Sequence, residues 1–170
     1  QFIIVMTKEK GERVPITIAD YKTQKGTITF VFNEVGKTTK QLGHFKKGDT
    51  IPNVLGPLGT PSEIKNFGNV LCVAGGVMIG PMLLQVRALR QAGNNVTTVI
   101  GARIKNLLFF EHEMEDASHK LYTATDDGSE GNHGLGFLKY LVSKKFDRCV
   151  TMGPVVMMKK VCEYTKPVGI

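Results

Sequence analysis

Tryptophan is absent from this 170-residue chain, and aromatic residues make up only 8% of it. Val, Ile, Leu and Met must therefore fill any core, within a total of 42% hydrophobic residues. Cysteine is scarce and odd in number, at three. Cys72 and Cys149 lie in apolar runs and Cys162 in a helical pattern. No two stand at the spacing of a metal or redox site, so they read as buried free thiols of a reducing cytoplasm. No apolar run reaches membrane length and no signal peptide is visible, so the expectation is a cytoplasmic protein without a membrane partner. The four histidines (His44, His112, His119 and His133) are scattered among polar residues and offer no metal site. No Ser/His/Asp or Cys/His arrangement stands out, and no catalytic side chain is assigned.

What the chain does have is positive charge and glycine. The formal net charge is +7. Lys8, Lys10, Lys22, Lys25, Lys37, Lys40, Lys46 and Lys47 are spread among polar and turn residues, which describes a solvated surface rather than a nucleic-acid footprint. Such a surface also steers an acidic protein partner or a phosphorylated cofactor. The 19 glycines point to tight turns or phosphate loops.

Two textures follow one another along the chain. Residues 2–7, 14–20 and 27–33 are short apolar or alternating runs between Gly- and Lys-bearing turns, and 49–53 reads as a further short strand. No helix is expected before Pro61. From residue 69 onward strands alternate with helices: strands over 69–74, 96–100, 120–124 and 147–152, helices over 81–92, 106–118, 134–143 and 155–164. The fold class is therefore α/β: a partial antiparallel β-barrel followed by a Rossmann-like parallel sheet with helices on both faces. The expected domains are 1–64 and 65–170.

Several motifs stand at strand ends. A buried strand runs into Gly75-Gly76-Val77-Met78 and a helix begins at once. Glycine there lets an anion approach the helix N-terminus, although a bare strand-to-helix turn would read the same way. The stretch is not the G-x-G-x-x-G fingerprint, and the next strand ends in Gly101-Ala102-Arg103 rather than an acid; the arginine could face a 2′-phosphate or simply solvent. Asp126-Asp127-Gly128-Ser129 follows the third strand; it reads as a turn, although adjacent carboxylates could also mark a metal or general base, and its place at the sheet edge could let it contact a ribose or amide. Gly153 and Pro154 open the last helix, which carries Met157. In the first part, Arg13 and Thr17 share one side of a strand with Pro15 between them. Gly36-Lys37-Thr38-Thr39 is no P-loop, because Val31 stands where the first glycine belongs, but its amides could still hold a phosphate.

In this order the motifs resemble the ferredoxin–NADP reductase superfamily. They are most similar to the branch of the dihydroorotate dehydrogenase electron-transfer subunit, the small subunits of NAD(P)H:ferredoxin and sulfide oxidoreductases, and related hydrogenase subunits. The resemblance covers essentially the whole chain. It implies an FAD-binding barrel over 1–64 that uses Arg13, Pro15, Ile16, Thr17, Gly36, Thr38, Thr39 and Gly56, the last in a GPLG segment. It implies an NAD(P)-binding domain over 65–170 that uses Gly75, Gly76, Val77, Met78, Gly101, Arg103, Asp126, Asp127, Gly153, Pro154 and Met157. The implied activity is hydride transfer from NAD(P)H to FAD, and electron transfer onward to ferredoxin or to the clusters of a larger iron–sulfur subunit. The family's glycine turn has a third glycine where this chain has Met78. That departure keeps a second reading open, a docking or regulatory subunit with a degenerate nucleotide site. The ends read as cuts in a longer protein. The resemblance places a [2Fe–2S] centre beyond Ile170, and the open barrel edges suggest a homo-oligomer.

Overall fold

In the computed structural model, which describes residues 1–170 throughout, the chain divides into two units, Gln1–Ser62 and Glu63–Ile170. Period-two alternation writes the first. Strand β1 (Phe2–Met6) buries Ile3 and Val5 and leaves the residues between them half-buried. It pairs antiparallel with β2 (Val14–Lys22) on one side and β4 (Asn53–Leu58) on the other, and β3 (Thr27–Phe30) pairs with β2. The result is a four-stranded sheet of order β3-β2-β1-β4. Ile3, Val5, Ile16 and Leu42 form its core, flanked by Val14, Ile18, Phe30 and Phe32. Pro57 sits in the edge strand β4, where a missing N–H costs no ladder bond.

Two expectations for this unit need correcting. A helix does precede Pro61: α1 (Lys37–Gly43). Only Thr38 and Leu42 of it are buried, too few to write a helical period in the sequence. A local cap stabilises it instead, with Gly36 N–H donating to Thr39 Oγ1 at 2.9 Å. The strand expected over 49–53 begins only at Asn53. Asp49 is held in a turn, its carboxylate accepting from Lys46 N–H at 2.7 Å and its own N–H donating to Lys46 O at 3.0 Å.

The second unit is a five-stranded, all-parallel sheet of order β8-β7-β6-β5-β9. The strands are β5 (Asn69–Gly75), β6 (Asn95–Ala102), β7 (Lys120–Thr125), β8 (Asn132–His133) and β9 (Arg148–Met152). β5 lies between β6 and β9 and is buried on both faces, hence its unbroken apolar run. Val70, Cys72 and Ala74 pack with helix α2 (Ile79–Gln91) through Ile79, Met82, Leu83, Val86 and Leu89. Leu71 and Val73 pack on the other side with Leu138, Leu141, Val142 and Val161. Each large apolar side chain buried in this way contributes roughly 1.5–3 kcal/mol.

Three helices complete the unit: α3 (Glu111–Ala117), α4 (Leu138–Leu141) and α5 (Val155–Thr165). The first two are shorter than the sequence suggests. Phe110 takes a left-handed conformation, φ 57°, so no α-helix runs from residue 106 through it, and only a 3-10 turn, Lys105–Leu107, precedes α3. The Phe110 ring meets Phe109 edge-on at 5.2 Å. Gly134, at φ 61°, and the poor helix former Gly136 delay α4. Strand β8 has only two residues and carries no period to read.

The thiols also differ from expectation, because Cys162 is exposed. Burial pushes both Cys72 and Cys149 up to about 12. Cys162 is the one thiol exposed to a reagent in the folded chain, while burial keeps the other two protonated and slow. A disulfide reagent should therefore titrate one thiol rapidly and all three after denaturation, and Cys162→Ser should abolish the rapid phase.

Candidate functional site

Parallel strands carry all their C-terminal ends to one edge. The winding reverses at β5, since β6, β7 and β8 lie to one side of it and β9 to the other. Such a reversal opens a crevice at the strand ends, where α/β sheets bind ligands. The register brings Gly75 beside Gly101, Gly101 beside Ala124, and Ala74 beside Met152. Gly75, Gly76, Val77, Met78, Gly101, Arg103, Asp126, Asp127, Gly153, Pro154 and Met157 all gather at this edge or in the first turn of the helix behind it.

The turn after β5 goes directly into a 3-10 segment, Gly76–Met78, and then into α2. Gly76 has φ 58°, and a Cβ built on it would meet nothing within 4 Å. Its backbone is thus bent in a way that suits glycine and is open on the side where a side chain would stand. Gly75 and Gly153 differ. A Cβ on Gly75 would lie 2.5 Å from Met157 Sδ, and one on Gly153 would lie 2.6 Å from Met157 Cε and 3.2 Å from Gly75 N.

Beyond β6 and β7 the two loops are latched together. Asp126 N–H donates to Ala102 O at 3.1 Å and Asp127 N–H to Arg103 O at 3.2 Å. Ser129 donates its hydroxyl to Asp127 Oδ1 at 2.6 Å and its N–H to the same oxygen at 3.0 Å. The Ser129 hydroxyl oxygen in turn accepts Lys105 N–H at 2.9 Å, and Lys105 Nζ pairs with Glu130 at 2.6 Å. The hydroxyl and amide of Ser129 hold the Asp127 carboxyl below its ordinary range. Asp127 therefore shapes the loop, while the side chains of Arg103 and Asp126 stand exposed. Sequence reasoning missed Lys105, Ser129 and Glu130 as parts of this latch. The Asp-Asp-Gly-Ser turn was the only signal, and its partner across the edge is set by the sheet.

In the first unit, Arg13 and Pro15 are exposed and Thr17 is half-buried, all on one side of β2, whereas Ile16 points into the core at 6% exposure and offers only backbone. Thr38 donates to Glu12 Oε2 at 2.9 Å, which ties the start of α1 to the residue before Arg13. Thr39 is engaged in its own helix cap. Both hydroxyls thus serve the fold, and Arg13 with the turn's backbone remains for an anion. Gly56 is crowded by β1: a Cβ there would come within 2.8 Å of Ile3 Cγ2 and 3.1 Å of Phe2 O. Glu12 carried no signal in the sequence.

No protein-family profile matches the chain. It is 46% identical over 177 residues to a dihydroorotate dehydrogenase B (NAD(+)) electron transfer subunit homolog of Thermotoga maritima, covering all of this chain and 62% of that protein. It is 40% identical over 146 residues to a probable electron transfer subunit of the same enzyme in Methanocaldococcus jannaschii, covering 84% and 55%. Among solved structures, a chain of the NADH-dependent reduced ferredoxin-NADP oxidoreductase, studied for flavin-based electron bifurcation, superposes with a TM-score of 0.89 at 41% identity, over 98% of this chain and 61% of that one. The cytochrome b5 reductase domain of Ulva prolifera nitrate reductase shares the fold, with a TM-score of 0.73 at 18% identity. The chain spans 62% of the length of the first of these relatives.

Proposed function

The chain belongs to the ferredoxin–NADP reductase superfamily, and from that premise we propose that it is the flavin- and nucleotide-binding part of an electron-transfer subunit. The activity would be hydride transfer from NAD(P)H to FAD, with electrons passed on to an iron–sulfur partner. The observation that carries this reading is the open, left-handed Gly76 at the point where the sheet's winding reverses, with a helix starting behind it. That is the chemistry a dinucleotide diphosphate needs: unobstructed backbone amides and a helix N-terminus.

The residues present fit both cofactors. On the second unit, Gly76 and the amides of residues 77 and 78 would take the diphosphate. Asp126, exposed on a latched loop, would accept from a ribose hydroxyl, and Arg103 would tolerate a 2′-phosphate. On the first unit, Arg13 and Thr17, together with the Gly36 turn, would hold a flavin and its diphosphate. The nicotinamide and flavin supply the redox chemistry, and the protein supplies position and charge. The finer parts of the reading are a [2Fe–2S] centre in the remainder of the subunit, a larger catalytic or iron–sulfur partner or ferredoxin, and a cytoplasmic setting.

The deciding experiment takes the full-length protein, purified and then reconstituted with FAD, and follows its visible spectrum during anaerobic addition of NADH or NADPH. Flavin absorption that bleaches with one coenzyme is the expected outcome. A protein that stays colourless after reconstitution and binds neither coenzyme overturns the reading, in favour of a docking subunit with a degenerate site.

A further inference from the structure

Gly75 and Gly153 look, from the sequence, like positions kept small for a ligand. The structure fills that space from within. Met157, in the first turn of α5, lays its thioether against both glycines: Sδ lies 2.5 Å from where a Gly75 Cβ would stand, and Cε 2.6 Å from where a Gly153 Cβ would stand. Real Cβ atoms essentially never approach heavy atoms this closely, so an alanine at either position moves the flexible end of the methionine off the glycines, a shift that costs little in itself but removes the contact. Gly75 itself has φ −136° and ψ 141°, extended backbone that any residue adopts. Backbone conformation therefore does not require glycine at position 75, and the side chain that a larger residue there would meet is that of Met157. Gly76, its neighbour, is the opposite case, with φ 58° and open space.

We propose that Met157 is a positioning residue: its thioether fills the gap between the ends of β5 and β9, ties the two turns into one platform, and thereby sets where the open backbone of Gly76 stands for the dinucleotide. This rests on the nucleotide reading above and deepens it. Methionine suits the role because its unbranched, polarizable side chain fills irregular gaps. The half-buried Met157 reaches this position from the cluster of Leu71, Val73 and Val161 on the α5 side of the sheet. The strut thus links the packing of α5 to the shape of the ligand edge.

The test is a double-mutant cycle in the full-length protein, combining Gly75→Ala and Met157→Ala, with Met157→Leu as the conservative variant. Two quantities are read for each variant: the thermal midpoint without nucleotide, and the NADH dissociation constant by titration. Gly75→Ala alone is expected to lower the midpoint and weaken NADH binding about tenfold. In the Met157→Ala background the same substitution should change both by little, less than about twofold in affinity. Met157→Ala alone should weaken NADH binding several-fold, and Met157→Leu should restore most of it.

If Gly75→Ala weakens binding by the same factor in both backgrounds, the ligand itself touches position 75 and the proposal fails. If the midpoints couple but Met157→Ala leaves NADH affinity unchanged, Met157 only packs and does not position. If no variant, wild type included, binds NADH, the nucleotide reading fails and takes the positioning role with it, while coupled midpoints would still show the thioether contact.

Discussion

Asn94→Ala is expected to lower the unfolding free energy by about 1–3 kcal/mol. Asn94 is 1% exposed. Its Oδ1 accepts Phe67 N–H at 2.6 Å, and its Nδ2 donates to Leu89 O at 2.7 Å and to Lys65 O at 2.8 Å. One side chain thus joins the segment leading into β5 to the end of α2. Alanine leaves the part-buried Phe67 amide without its partner, at roughly 1–3 kcal/mol, while the Leu89 carbonyl keeps the backbone N–H of residue 94 at 3.2 Å. The neighbouring Asn95, whose amide bonds Asn69 Oδ1 at 2.9 Å in solvent, is the control. Asn95→Ala should stay within about 0.5 kcal/mol of wild type. Urea unfolding followed by circular dichroism checks both, read as a shift in midpoint at constant slope. Asn94 lies at the N-terminal end of the sheet, so nucleotide binding by the folded variant should be unchanged. A matching loss of affinity would mean that the two ends of the sheet are coupled.

Gly76→Asp carries the largest expected effect on binding: a loss of NADH affinity of about 100-fold or more with only a modest loss of stability. A carboxylate at this open position faces the space assigned to the diphosphate. At about 4 Å and an effective dielectric of about 20, the repulsion between two unit charges is roughly 4 kcal/mol, and about 1.4 kcal/mol is a factor of ten in affinity. Stability should fall by no more than about 1–2 kcal/mol, since the added Cβ meets nothing and aspartate is among the residues that tolerate left-handed backbone. Gly26 has φ 59° and equally open surroundings. Gly26→Asp therefore reports the backbone cost by itself and should leave NADH binding intact. Calorimetric titration of both variants decides the matter. Equal affinities for the two would remove the diphosphate from Gly76.

Much of the second unit was legible from residues alone. The apolar run of β5 announced a strand covered on both faces, because only a central parallel strand has no solvent side. The spacing of Met82, Val86 and Leu89 announced α2, and all three are fully buried. Glycines at the ends of strands located the candidate site, since turns of that shape write themselves into local sequence. Local cues failed where an element was too short to show a period, as in α1 and β8, and overran the length of α4. They also failed where a single residue in an unusual conformation, Phe110, moved the start of a helix.

What the sequence by itself determined is the order of the longer elements, the class of sheet and the residues that end up at its edge, because those depend on periodicity and turn chemistry within a few residues. Only the tertiary structure decided which strands are neighbours, that the winding reverses at β5, that Ser129 and Lys105 latch two loops, and that a methionine in the last helix lies against a glycine at the end of the first strand of its sheet. Those facts depend on contacts between residues far apart in the chain, and no local pattern encodes the distance from Met157 to Gly75.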